Sequence, residues 1–170
     1  MKLSPSQIAL IEFANNGVID SLTETLAPAA FFPALAREAL IAKRSGAALM
    51  VISLKLNIEN LLLQRFDPQS TERFSPSVAV SYIEQEVMRI ARVLSESLRV
   101  GDLFTRFSDV GFLLVIRGSE WEFQLAEKRI AMNVNGARTA QSHWQLVTVL
   151  PDRDEELSHL VARIDRAHFN

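Results

Sequence analysis

The chain has 170 residues, enough for one domain with a sizeable core, and its composition of 48% hydrophobic and 22% charged residues is that of a globular protein, not a disordered one. A formal net charge of −2 argues against a nucleic-acid-binding surface, and the absence of cysteine excludes disulfides and thiolate metal sites and fits a reducing cytoplasm. No apolar run approaches the length of a membrane-spanning helix, and Glu12 interrupts the apolar N-terminus, which has no cleavage site and is no signal peptide.

The first predicted element is a short helix in SPSQIALIEFANNG. Ser4 caps it, Pro5 suits its first turn, Gln7 completes a capping box and the Asn-Asn-Gly run ends it. A second helix is expected from Pro28 to Arg44, with Phe31, Phe32, Leu35, Ala39 and Ala42 on its apolar face and Gly46 at its C-cap. The run AALMVISLKL is short, β-branched and apolar throughout, so it reads as a central strand buried on both faces. NIENLLLQRF adds a helical turn, and the polar stretch that follows is a loop. The echo of RFDP at Arg65 in RFSP at Arg73 is too short to be a repeat architecture.

The strongest periodicity runs from Val78 to Leu98, where Val80, Ile83, Val87, Ile90, Ala91, Leu94 and Leu98 share one helical face. Next comes a hairpin, two apolar runs around Ser108–Gly111, with the pattern of a type I turn followed by a left-handed glycine. A helix capped by Ser119 and Glu122, a strand in HWQLVTVL, and a closing helix with Leu157, Leu160, Val161 and Ile164 inward complete the chain. His143, His159 and His168 show no metal-like pairing, and Asp152, Asp154, Glu155 and Glu156 form a solvated first turn, not a cation site. Core or edge packing accounts for Trp121 and Trp144.

After the leading helices the order is β-α-β-β-α-β-α, whose first six elements are the ferredoxin-like split βαβ unit. The expected class is α+β: a βαββαβ palm-like core with a mainly antiparallel sheet, helices covering one of its faces, and an additional N-terminal helix.

Several segments, taken in order, resemble the GGDEF domain of diguanylate cyclases. DSLTETL at Asp20–Leu26 is similar to D-x-L-T-G-L, with one extra residue and no glycine. RSGAALMVISLKL resembles the end of a helix and the first strand, and ARIDRAHF resembles the last helix. In LRVGDLFTRFSDVGFLLVI the family's R-x-x-D falls on Arg99 and Asp102, five residues follow with Arg106 at a usual arginine, and the signature G-G-D-E-F is replaced by Ser108, Asp109, Val110, Gly111 and Phe112. The resemblance covers Asp20 to the end, implying an N-terminal helix or linker over residues 1–19 and a domain over 20–170. Because the linker starts at Met1, no sensor domain is expected ahead of it.

Active members join two GTP molecules, which needs a divalent metal held by carboxylates from the first strand and the hairpin. By resemblance, Ser53 stands at the lost metal position, Lys55 at the second acid of that strand, and Val110 and Gly111 at the acidic positions of the turn. Ile83 and Glu84 match the Gly-Asp that contacts guanine, so one acid is kept. The expectation is therefore a degenerate GGDEF-like signalling module that is not an enzyme, with no cofactor and no metal. It would act by binding a protein partner or cyclic di-GMP, the latter at Arg99 and Asp102, where an arginine fork grips phosphate or a guanine edge and the aspartate accepts from guanine. Neither nucleic acid nor membrane insertion is expected. The N-terminal helix either docks on its own domain or pairs in a homodimer. Two other readings stay open: a GTP-binding regulator or residual cyclase using Glu84, Asp109 or the Asp20 region, and an assembly subunit whose hairpin and 64–77 loop form an interface without nucleotide.

Overall fold

A computed structural model of the chain describes residues 3–65, 75–136, 143–152 and 155–169. The apolar run folds as β1 (Ala48–Leu56), a strand with neighbours on both sides. Together with β2 (Leu103–Ser108), β3 (Gly111–Gly118) and β4 (Trp144–Val149) it forms a sheet of order β2-β3-β1-β4. Every pairing is antiparallel, with Ser53 opposite Leu113 on one side and Val147 on the other. This is the expected ferredoxin-like arrangement.

Alternation along β1 divides the core in two. Met50, Ile52, Leu54 and Leu56 face a cluster built with α4 (Pro76–Ser97) and α5 (Glu120–Asn135). Leu49 and Val51 face a second cluster with Phe31, Leu35 and Ala42 of α2 (Pro28–Ser45) and Leu160 and Ile164 of α6 (Leu157–Phe169). Helices therefore cover both faces of the sheet, where one was expected. The reason lies in β1 and β3 themselves: both are apolar on each side, and such strands need two layers over them.

The helices follow their sequence signals closely, with informative exceptions. On α4 the expected residues Val80 to Leu94 are buried, and Leu98 is the partly buried C-cap. α2 starts on Pro28 and stops at Gly46, whose φ of 71° is the left-handed cap that glycine accepts at least cost. Its inward face differs by one position: Ala39 is exposed, and Glu38 turns in to pair with Arg117 at 3.2 Å. The predicted turn after β1 is an eight-residue helix, α3 (Ile58–Arg65), opened by Asn57, whose Oδ1 accepts the Asn60 N–H at 3.0 Å. Of the predicted loop, residues 66–74 lie outside the described residues. Trp144 is buried and its Nε1–H donates to Glu86 at 2.8 Å, whereas Trp121 is 67% exposed and takes no part in the core.

The N-terminal helix is shorter than its pattern suggests. α1 (Pro5–Ile8) has the Ser4–Gln7 capping box but only four residues. Ile11, three residues beyond the helix, is buried in the core cluster and draws the chain off the helical path. The asparagines act further on, in a tight turn where Asn15 and Asn16 side chains accept the N–H groups of Gly17, Val18 and Ile19.

At the start of α5, Ser119 donates its N–H and hydroxyl to Glu122 at 2.9 Å each. These bonds, the backbone one first, with Arg99 adding to them, hold the Glu122 carboxyl below the usual glutamate range. Because its folded-state pKa is depressed, the stabilisation is complete above the ordinary glutamate value and is lost as pH falls through the folded one. Side-chain NMR titration of Glu122 will give a midpoint below that of an exposed glutamate, and Ser119→Ala will move it back up.

Candidate functional site

The site region is organised by one buried ion pair. Arg106 on β2 and Asp20, in the segment that leads into α2, are both 0% exposed, with Nη1 3.4 Å from Oδ1. Asp20 is fixed from its own side: Oδ1 accepts the Thr23 N–H at 2.9 Å and the Thr23 hydroxyl at 2.6 Å. Residues 20–26 are stitched to β2 by further bonds. The Thr105 hydroxyl donates to the Leu26 carbonyl at 2.6 Å, and the Arg106 N–H donates to the Thr25 hydroxyl at 3.2 Å. Within this turn Glu24 has φ 57°, a left-handed conformation at the place where D-x-L-T-G-L has glycine.

Arg106 also ties down the hairpin, because its Nη2 donates to the Asp109 carbonyl at 2.8 Å. Burial lowers the pKa of its guanidinium; Asp20 opposes this most strongly, then Asp109 and Glu84. Asp20, Glu84 and Asp109, the three acids named from sequence as nucleotide candidates, are thus brought around one arginine. Glu84 accepts the backbone N–H of Glu12 at 3.0 Å. Sequence reasoning named these residues separately and missed that Arg106 joins them; two separate pieces of the resemblance, the Asp20 turn and Arg106, were the available signal.

The turn itself departs from expectation. Asp109 and Val110 alone connect β2 to β3, neither has a positive φ, and Gly111 lies in the strand without one. Gly111 is required by close approach: a Cβ there would lie 2.7 Å from Ser108 Oγ and 3.3 Å from the Leu54 carbonyl oxygen. A register shift between Arg106 and Ser108 supplies the curvature that a left-handed residue was expected to give. Val110 packs against the core, and Phe112 is 1% exposed within it.

Ser53 is 2% exposed in mid-strand, and Lys55 pairs with Gly111 in the register. Ser53, Lys55, Gly111 and Leu113 therefore share one face, while Val110, the other hairpin position read as acidic in the family, packs against the core. A hydroxyl, an ammonium and two side chains without oxygen do not suit a divalent cation such as Mg²⁺, which takes carboxylate oxygens. Among the described residues no group of three or more His, Cys, Asp or Glu could hold a metal ion.

Arg99 and Asp102 lie in the turn between α4 and β2. Asp102 Oδ2 accepts the Arg99 N–H at 2.9 Å, so the aspartate is a turn former, while the Arg99 guanidinium reaches Glu122 at 3.4 Å. Asp102 also lines an open groove of about 740 Å³ between the 19–26 segment and α4, whose other walls include Leu22, Glu24, Arg92 and Phe104. Arg92 is a second arginine beside Asp102 that sequence reasoning did not place.

Sheet order and element order together define a palm-like α+β domain. Comparison with solved structures bears this out. The GGDEF domain of DgcB from Caulobacter crescentus, solved in complex with cyclic di-GMP, matches with a TM-score of 0.67 at 14% identity, over 93% of this chain and 91% of that one. A microbial GGDEF domain solved with cyclic di-GMP matches at 0.68 and 20% identity, over 91% of this chain and 92% of that one. The diguanylate cyclase SiaD from Pseudomonas aeruginosa, solved with its activator SiaC, matches at 0.68 and 18% identity, over 95% of this chain and 59% of that one. No family model and no curated protein matches the sequence. The chain thus has the GGDEF fold.

These likenesses overturn one expectation. The sequence suggested that the chain is no enzyme, but its fold is shared with a diguanylate cyclase. The missing carboxylates describe one strand position and one turn, and they say nothing of the rest of the domain.

Proposed function

We propose that this chain is a cytoplasmic domain of cyclic di-GMP signalling, which binds the dinucleotide beside Asp102 and passes the signal on by contact with a protein partner. The observation that carries this reading is the groove of about 740 Å³ lined by both Asp102 and Arg92; Arg99, outside that lining, is bonded to Asp102 through its backbone N–H and holds its guanidinium on Glu122. That volume lies within the range of small-molecule sites. Two arginines and a carboxylate are the groups that a phosphodiester and a guanine edge call for: a guanidinium forks onto phosphate or guanine, and a carboxylate accepts from guanine N–H groups. Engagement of Arg99 would take it from Glu122, so ligand binding and the cap of α5 would compete. Two of the solved structures with this fold hold cyclic di-GMP, and one holds a protein activator, which supports both halves of the reading. No helix among the described residues is long and apolar enough to cross a membrane.

Calorimetry with cyclic di-GMP tests it. The expected result is saturable binding that Arg99→Ala, Arg92→Ala or Asp102→Asn each weakens by about 30-fold, the loss of one charge-assisted hydrogen bond of about 2 kcal/mol. Absence of binding by the intact chain, or binding that none of the three changes, overturns the reading.

A further inference from the structure

We propose that the outer edge of β4 docks a second copy of this chain, the two β4 strands pairing antiparallel about a two-fold axis so that one sheet runs through both copies. The two edges of the sheet are built differently. β2 is closed by the chain itself: Leu26 bridges to Thr105, the Thr105 hydroxyl donates to the Leu26 carbonyl at 2.6 Å, and the Arg106 N–H donates to the Thr25 hydroxyl at 3.2 Å. Its register against β3 also shifts between Arg106 and Ser108. β4 has none of these devices. It stands at the other end of the sheet order, pairs with β1 from Trp144 to Val149 without a shift, and contains no proline and no charged residue. Apart from that pairing, no backbone hydrogen bond reaches residues 145–149 among the described residues. An edge strand with unpaired N–H and C=O groups recruits another strand unless charge, proline, a bulge or a covering segment prevents it. The edge of β4 is therefore a template for main-chain pairing, the mode by which an extended segment adds to a sheet.

Three features point to a second copy and not to an unrelated strand. A two-fold pairing sets the strand against its own sequence, so any charge on it would meet its like nearby; WQLVTV carries none. Side chains opposite each other lie on the same face, so the axis passes beside a single residue, and the middle of the strand makes that Leu146 or Val147. Both are aliphatic and only partly buried, so either gains cover from its own copy. Pairing β4 with itself also leaves no open edge, because the joined sheet ends on both sides in a covered β2. An added peptide would present a new edge of its own.

Nucleotide takes no part in this pairing, so the test uses the full chain without cyclic di-GMP, and its outcome is separate from binding at Asp102. Sedimentation over a concentration series is expected to show the mass rising from one chain to two. Hydrogen exchange locates the contact: the amides of residues 145–149 that point away from β1 are expected to be protected in concentrated samples and to lose that protection on dilution. Those bonded to β1 stay protected throughout. Gln145 is exposed, so substitution there spares the core. Gln145→Lys and Gln145→Glu are each expected to weaken the dimer roughly fivefold by placing like charges across the axis, and an equimolar mixture of the two to restore it. Urea midpoints of dilute, single-chain samples are expected to be the same for wild type and both variants. The proposal falls if the chain stays single up to about 1 mM, which would leave the edge to a strand of another protein. It falls equally if a dimer forms without any change in the exchange of β4, or if the mixture pairs no better than either variant alone.

Discussion

Replacing Asp20 by alanine will destabilise the domain by about 3–5 kcal/mol, read as a fall in the urea midpoint at constant slope. The carboxylate is one half of an ion pair that is fully removed from water, and removing it leaves the Arg106 charge buried. Asp109 and Glu84 are too few to replace it: they rank behind Asp20 in opposing the desolvation of the guanidinium. Asp20 is also the acceptor for Thr23, so its loss frees the turn that bonds to Thr105 and Arg106. The partner variant sharpens the result. In Asp20→Ala combined with Arg106→Met, no charge is left without its mate, and the double variant is expected to be more stable than Asp20→Ala alone, a non-additivity that a double-mutant cycle measures directly. Equal or greater loss in the double variant would show that Arg106 matters for its bond to the Asp109 carbonyl more than for its charge.

Phe112→Ala is expected to cost about 3–5 kcal/mol by the same measurement. Phe112 is the one residue of the signature that this sequence keeps, and it sits 1% exposed with its ring 5.9 Å from that of Trp144. It pairs with Leu54 on β1 and with Arg106 on β2, so the cavity left by its loss opens at the base of the hairpin, among strands that have little freedom to collapse into it. Phe112→Leu should recover most of the loss. Three of the other signature positions face different demands. Gly111 answers to the close approach of Ser108 and Leu54, Val110 to the core, and Asp109 to Arg106 through its backbone carbonyl. The turn is thus accounted for by packing and backbone geometry at each of these positions, whatever chemistry the domain performs elsewhere.

Sequence by itself determined the elements and their order. Six buried positions of α4 recur at helical spacing, the apolar run of β1 has no polar face, and capping residues Ser4, Gln7, Ser119, Glu122 and Gly46 mark ends where they stand. These signals are local, set by side-chain periodicity and by the unpaired backbone groups of helix ends, so they can be read along the chain. From order alone the split βαβ arrangement followed, and with it the sheet that brings Lys55 beside Gly111. Only the tertiary structure decided the rest. Asp20 and Arg106 are 86 residues apart, and no periodicity links them. The first helix ends early and Ile11 is buried in the core beyond it, and Glu38 turns inward because Arg117 is there to meet it. The left-handed glycine expected at the turn gave way to a register shift, and Gly111 is restrained instead by close approach, to Ser108 across the hairpin and to the Leu54 carbonyl on β1. Arg99 and Asp102 were visible as a motif, but their bonds to each other and to Glu122, and the place of Arg92 in the same groove as Asp102, depend on how α4, β2 and α5 converge. Pairings over such distances are chosen by burial and charge in the folded core, and that information exists only once the chain has closed on itself.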